Sequence, residues 1–167
     1  MKVEATLRYP ADCHRVSEVT LDPEFQDAKC IATGALSHEV DINTDGEHAI
    51  VKTVRRMPTN ELPDFVRSLV KDGITVVETD EWGPPAADGS RDAAVEVRFA
   101  GAPIEMRGTL ALRPDGPDGE NAVARLQADL KASIPLIGGR IEKACAQAVL
   151  AAVQVEERTA GEWLTAQ

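Results

Sequence analysis

Apolar and polar residues alternate strictly from the second residue of the chain. Val3, Ala5, Leu7 and Tyr9 share one face, and Lys2, Glu4, Thr6 and Arg8 share the other. A period of two with one wet side predicts a strand whose other side is covered. Pro10 ends it and is placed to open a short helix over 11–21, with Val16, Val19 and Thr20 inward. A second short helix is expected from Pro23 to Ala32, closed by Gly34. Alternation resumes over 35–43, where Leu36, His38, Val40 and Ile42 oppose Ser37, Glu39, Asp41 and Asn43. Asp45-Gly46 is a hairpin signal, and the return strand runs from His48 to Met57. "ELPDFVRSLVKDG" predicts an amphipathic helix opened by Pro63 and closed by Gly73.

Four strands are expected after it, over 74–82, 93–100, 104–113 and 120–132. They are separated by the loop "GPPAADGSRD", by "AGAP" and by the tandem turn "PDGPDG". Met106, Gly108, Leu110 and Leu112 form one apolar face, and Ala122, Ala124, Leu126, Ala128 and Leu130 form the next. The strand at 74–82 is ambiguous: Ile74, Val76 and Trp82 are read as inward, although Glu78 and Asp80 share their parity. About seven antiparallel strands with one apolar face need a cover. Only the segment from Leu136 to Trp163 is long enough, at ~40 Å for a helix. Its stripe of Ile141, Cys145, Ala148, Val149, Ala152 and Val155 is made mainly of small residues and is expected to face the sheet. Small residues on both walls, on a sheet that coils because strands twist, predict residual space between helix and sheet. Close packing without a cavity is the alternative. Gly138-Gly139, at the start of this helix, read either as a frayed, capped first turn with Glu142 at N3, or as a hinge that admits a ligand.

This order of strand, two short helices, hairpin, short helix, strands and long terminal helix resembles the START-like (SRPBCC) superfamily. The likeness covers nearly the whole chain as a single domain, 1–167. It implies an α+β helix-grip fold: a curved antiparallel sheet with two short helices after strand 1 and the long C-terminal helix packed on the concave face. The segments "RYPADCHRVSEVTLDPEF", "VKTVRRMP" and "IPLIGGRIEKA…EERTAGEWL" are similar to an uncharacterised bacterial branch of that superfamily. Polyketide cyclases and lipid-transfer domains are its wider relatives. The resemblance implies a hydrophobic ligand between sheet and helix, and it supplies no catalytic residues to carry over.

Charge and chemistry narrow the partner. The net charge of −10 argues against nucleic acid, whose phosphates need Lys and Arg to neutralise them. No apolar run reaches the ~18 residues of a membrane helix. The N-terminal alternation reads as no secretory signal, and three cysteines with no CxxC fit a reducing cytoplasm. No His, Cys, Asp and Glu spacing indicates a metal site, and no cofactor motif is present.

The expected partner is a small-to-medium apolar molecule: a lipid, polyketide or aromatic metabolite. The expected lining is Val51, Arg55, Val97, Phe99, Met106, Leu110 and Leu126 from the sheet, with Ile141, Cys145, Ala148 and Ala152 from the helix. His38, alone on an apolar strand face, is either a hydrogen-bonded core or rim residue or a group that touches ligand. Arg55 points inward and needs a carboxylate, from Glu78 or from an acidic ligand. Two other classes stand beside the binding protein: a cyclase or hydrolase working in the same cavity through His38 or Arg55, and a cavity-free interaction module.

Overall fold

The computed structural model describes residues 1–60, 62–70 and 73–166. β1 (Lys2–Tyr9) is followed by α1 (Cys13–Thr20), α2 (Pro23–Ala32), β2 (Ser37–Asp45), β3 (His48–Met57) and α3 (Asp64–Arg67). Then come β4 (Ile74–Trp82), β5 (Arg91–Ala100), β6 (Ile104–Asp115), β7 (Asn121–Ala132) and α4 (Gly138–Thr165). One sheet holds all seven strands in the order β1-β7-β6-β5-β4-β3-β2, each neighbour antiparallel. The fold is α+β with an open sheet and a long C-terminal helix, the helix-grip arrangement.

β2 to β7 form a run of sequential antiparallel neighbours, joined by connections of a few residues except between β3 and β4, where the chain passes through α3. The β2–β3 turn closes with Asp45 opposite His48, so its tip is Gly46-Glu47, one residue beyond the expected Asp45-Gly46. Gly46 has φ +61°, which suits the first central position of a two-residue hairpin turn. Asp12 caps α1 by accepting from the Arg15 amide at 2.9 Å, so the helix starts at Cys13 and not at Pro10. Asp22 caps α2 in the same way through Glu24. α3 is a single turn, shorter than the helix expected from Pro63 to Gly73, and part of that expected span lies outside the described residues. The loop after β4 is tied by its own bonds, Ala86 N–H to Ser90 O at 2.8 Å and Gly89 N–H to Ala86 O at 2.9 Å.

The inner sheet face follows the alternation. Val3, Leu7 and Tyr9 of β1 are buried, as are Met106 and Leu112 of β6 and every second residue of β7 from Ala122 to Ala132. Ile74, Val76 and Trp82 are inward, as read from the sequence, and Asp80 is buried beside them. Leu36 lies outside β2 and is 67% exposed, so the apolar face of that strand begins at His38. Gly108 is required where β6 crosses β7: a Cβ there would strike the Gln127 carbonyl oxygen and the Ala128 backbone.

α4 lies chiefly across β1 and β7 and along α2. Ile141, Cys145, Ala146 and Ala160 are its buried residues, with Val149 and Val153 packed against the core. The inward stripe is therefore turned by roughly 60°, at 100° per residue, from the one expected. Ala148 is exposed, on the solvent side of the helix. It is removed from the inward set because the inner arc is centred on Val149, Val153 and Glu156 instead. α4 starts at Gly138 after Ile137, with no side-chain cap. Glu142 is not a capping-box residue: it reaches back to accept from the Ala132 amide of β7 at 3.1 Å.

Candidate functional site

The middle of the inner face is polar. Arg55 on β3 is 6% exposed, and its Nη2 donates to Glu78 Oε2 of β4 at 2.7 Å. Its Nη1 is 3.4 Å from Thr33 Oγ1, just past α2. Glu78 is thus the partner that the alternation named for Arg55. The same carboxylate faces Lys29 of α2, whose Nζ lies 3.4 Å from Glu78 Oε1 and 3.7 Å from Glu156 Oε2 of α4. Lys29 is only 3% exposed. Asp80, two residues along β4 on the same face, is 8% exposed and completes the cluster. Two cations and three carboxyls from α2, β3, β4 and α4 meet between helices and sheet.

Their ionisation follows from burial and charge. Burial alone would pull the Lys29 ammonium down, but Glu156 and Glu78 outweigh it and hold the proton more firmly than usual. Burial pushes the Glu78 carboxyl up, and Lys29 and Arg55 more than offset this, so its pKa is lowered. Asp80 goes the other way: burial first, then the Glu78 charge, raise it well above the usual carboxylate range. Glu156 is raised by burial in spite of Lys29. Tyr9 is raised by burial and then by Glu156.

Several buried atoms in this region have no hydrogen-bond partner: Thr53 Oγ1, Arg55 Nε and Asp80 Oδ1. All three residues lie on the inner face of the β3–β4 pair, where Thr53 stands opposite Glu78 and Val51 opposite Asp80. A shallow surface crevice borders the cluster, lined by Tyr9, Val16, Val19, Thr20, Phe25, Glu156, Ala160 and Leu164. A second is lined by Ser17, Thr20, Leu21, Trp82 and Arg91. Neither has room for even a water molecule, so no formed cavity lies in either place, against the ~300–1,000 Å³ typical of small-molecule pockets. Neither is walled by the residues expected to line a cavity.

Those residues are placed as follows. Val51, Val97, Met106 and Leu126 of the sheet and Ile141 and Cys145 of α4 are buried in the two apolar clusters that flank the polar centre. Phe99 and Leu110 are half-buried and packed against them, and Ala152 is half-buried on α4. His38 sits at the edge of the sheet, with its side chain 20% exposed and Nε2 2.9 Å from Asp27 Oδ1. Trp82 packs beneath α1, with the Arg91 guanidinium 5.9 Å from its ring centre.

Lys29, Asp80, Glu156 and Tyr9 escaped the sequence reading as site residues. Tyr9 follows the inward alternation of β1 with no pattern that marks it for a role, and Lys29 and Glu156 sit in helical positions where charge normally means solvent. The parity of Glu78 and Asp80 with Ile74, Val76 and Trp82 was the one signal that could have found the carboxyl pair. Among the described residues, no group of three or more His, Cys, Asp and Glu side chains is arranged to hold a metal ion.

Comparison with known proteins places these features in context. A family model described as a protein of unknown function (DUF2505) matches residues 4–164. An uncharacterized protein of Mycobacterium tuberculosis is 28% identical over 125 residues, covering 75% of this chain and 70% of its own. Among solved structures, TTHA0849 from Thermus thermophilus superposes with a TM-score of 0.63 at 19% identity, covering 100% of this chain and 99% of its own. The Zhui aromatase/cyclase from Streptomyces gives 0.61 at 15% identity, over 98% and 95%. A START superfamily protein from Mycobacterium smegmatis gives 0.58 at 12%, over 98% of each chain. At these identities the likeness fixes the START-like fold. No helix among the described residues is long and apolar enough to cross a membrane.

Proposed function

The chain belongs to the family described as a protein of unknown function (DUF2505), and from that premise we propose that it binds a small-to-medium apolar ligand between sheet and C-terminal helix. The observation that carries this reading is the set of unpartnered polar atoms on Thr53, Arg55 and Asp80, buried on the inner face between two apolar clusters. An unsatisfied buried donor or acceptor costs ~1–3 kcal/mol. Such atoms are normally satisfied by a buried water or by a polar group of a ligand. The START-like fold supports the same reading, since one neighbour in that fold is an aromatase/cyclase.

The crevice beside Glu156 is small, so a ligand enters by moving α4 or α2 away from the sheet. Apolar contact at ~25 cal/mol per Å² drives binding. Val51, Val97, Met106 and Leu126 supply the sheet wall, and Ile141, Cys145 and Val149 supply the helix wall. His38, already bonded to Asp27, stands at the rim. Native mass spectrometry of the protein purified from its own host tests the reading. An adduct in the mass range of a lipid or aromatic metabolite, displaced by added hydrophobic probes, is expected. A clean unliganded mass with no probe uptake overturns it.

A further inference from the structure

Exposed apolar side chains collect at one end of the molecule. Connections in an antiparallel sheet alternate between its two ends, so the β3–β4, β5–β6 and β7–α4 connections share one end with the starts of β1 and β2. Met1, Ile31, Leu36, Leu69 and Leu136 lie there, each at least 50% exposed. The other exposed large hydrophobics among the described residues, Ile50 and Leu150, lie within β3 and α4. We propose that this end docks on a bilayer surface containing anionic lipid, with the Leu136 side chain among the acyl chains. The proposal goes beyond the ligand reading and does not depend on it.

Leu136 is built to project. It is fully exposed, at φ +70°, in a three-residue turn closed by Ile137 N–H to Pro135 O at 2.9 Å. That γ form is rare and strained. Ile134 and Ile137 on either side pack against the core, so the turn thrusts Leu136 outward alone. Strain that presents an apolar side chain to water brings the isolated chain no packing, and points to function. The neighbouring connections are tied to this turn: Ser133 N–H donates to Pro103 O of the β5–β6 connection at 2.9 Å, and the Arg140 guanidinium lies 4.2 Å from the ring centre of Phe65 in α3. At ~4.8 Å per strand, Met1 and Leu36 stand at opposite edges of the sheet, roughly 30 Å apart along it. A fluid plane receives side chains so widely spread, and a single small molecule does not span them.

Charge selects the kind of surface. Between Lys131 and Lys143 the sole acid is Glu142, which accepts from the Ala132 amide at 3.1 Å and lies 3.7 Å from the N-terminal ammonium. Lys131, Arg140 and Lys143 are exposed and make no ion pair among the described residues. The acids nearby are engaged: Asp64 with Arg67, Glu105 with Arg107 and Asp129 with Lys2. Turns at the opposite end carry Asp45, Glu47, Asp88, Asp115, Asp118 and Glu120. A chain of net charge −10 so divided approaches an anionic surface with its cationic end first. A second copy meeting this end in a two-fold contact would set the same cations against themselves.

Vesicle flotation of the full chain tests this, with phosphatidylcholine alone and with an equal share of phosphatidylglycerol. At ~0.05 M salt the mixed vesicles are expected to bind at least tenfold more tightly, and ~0.5 M salt should remove most of that difference by screening. Leu136→Gly deletes the side chain and relaxes the turn, and should weaken binding at least fivefold. Lys131→Glu with Lys143→Glu should weaken it at least tenfold, while Leu150→Ala should bind like the parent. If the charge-reversed chain does not fold, as judged by circular dichroism, Leu136→Gly decides. No preference for the anionic vesicles, full binding by Leu136→Gly, or an equal loss in Leu150→Ala overturns the docking surface. So does a dimer in analytical ultracentrifugation that Leu136→Gly abolishes, found without vesicle binding. Each of these outcomes leaves the ligand reading standing.

Discussion

Glu78 is the carboxylate on which two buried cations converge, and Glu78→Leu should be among the most damaging single changes in the protein. At an effective dielectric of about 20, its gross attraction is about 6 kcal/mol to Arg55 at 2.7 Å and about 5 kcal/mol to Lys29 at 3.4 Å. Part of this is offset because the Glu78 side chain, 18% exposed, no longer has to be desolvated. Lys29 also keeps Glu156. Arg55 has no other carboxylate in contact among the described residues, and stranding one partner of a buried pair costs ~3–5 kcal/mol. With an m-value of ~2 kcal/mol/M, the urea midpoint should fall by roughly 2 M. The matched double variant Arg55→Met with Glu78→Leu removes the stranded charge and should recover much of the loss. Equilibrium urea unfolding of the parent, both single variants and the double at pH 7 closes the cycle. The reasoning is wrong if Glu78→Leu stays within ~1 kcal/mol of the parent, or if the double variant is no more stable than Glu78→Leu alone.

Asp80 should reveal itself through pH. Unfolded, it loses its proton near 3.8; folded, it holds it to higher pH. Between those values the native state binds the extra proton, so stability falls as pH rises, by ~1.4 kcal/mol per unit. Asp80→Asn should flatten that slope, and parallel profiles for variant and parent over pH 4–7 would refute the assignment. Gly138→Ala should destabilise, since its Cβ would sit 2.6 Å from the Ala132 carbonyl oxygen, whereas Gly139→Ala meets nothing within 4 Å and should stabilise α4 by up to ~1 kcal/mol. Thermal melts of the two variants read the contrast, and equal shifts would contradict it. Leu136 is fully exposed with φ +70°, so Leu136→Gly should raise stability by ~1 kcal/mol in the same assay; a loss would show that its side chain is held by contacts. Burial pushes the Cys145 thiol up to about 11, so iodoacetamide at pH 8 should leave it unmodified until the chain is unfolded by urea, as read by peptide mass spectrometry.

The strands were legible because their faces differ sharply in polarity, and a period of two leaves little freedom in register. That alternation turned Arg55 inward and put Glu78 within its reach. α4 was harder. Cys, Ala and Val differ little in hydropathy, so the stripe from Ile141 to Val155 is weakly oriented by its own residues. The true inner arc includes Glu156, which faces inward only because Lys29 waits there. Lys29 in turn reads as a surface residue of a short helix until α4 is laid beside it. Such mutually dependent burial spans 127 positions of sequence, and no local pattern carries it. Asp80 is ambiguous in the sequence for a related reason: a carboxyl at an inward position is expensive unless it holds its proton more firmly than usual, and the burial that makes it do so is supplied by elements distant in sequence. At the loops, side-chain caps outranked prolines, and Asp12 set the start of α1 where Pro10 had been expected to.

The strand order also bears on how the chain assembles. β2 to β7 can zip sequentially, each hairpin closing a loop of a few residues or, between β3 and β4, somewhat more. β1 has no neighbour but β7, and Lys2 is registered against Asp129. Closure entropy grows with loop length, and contacts so far apart in sequence come late. β1 is thus the last strand to find its place, and until then the flank of β7 stands open to the corresponding segment of another molecule. Slowing the arrival of β1, for instance with Leu7→Ala, should favour strand-exchanged dimers during refolding at high protein concentration.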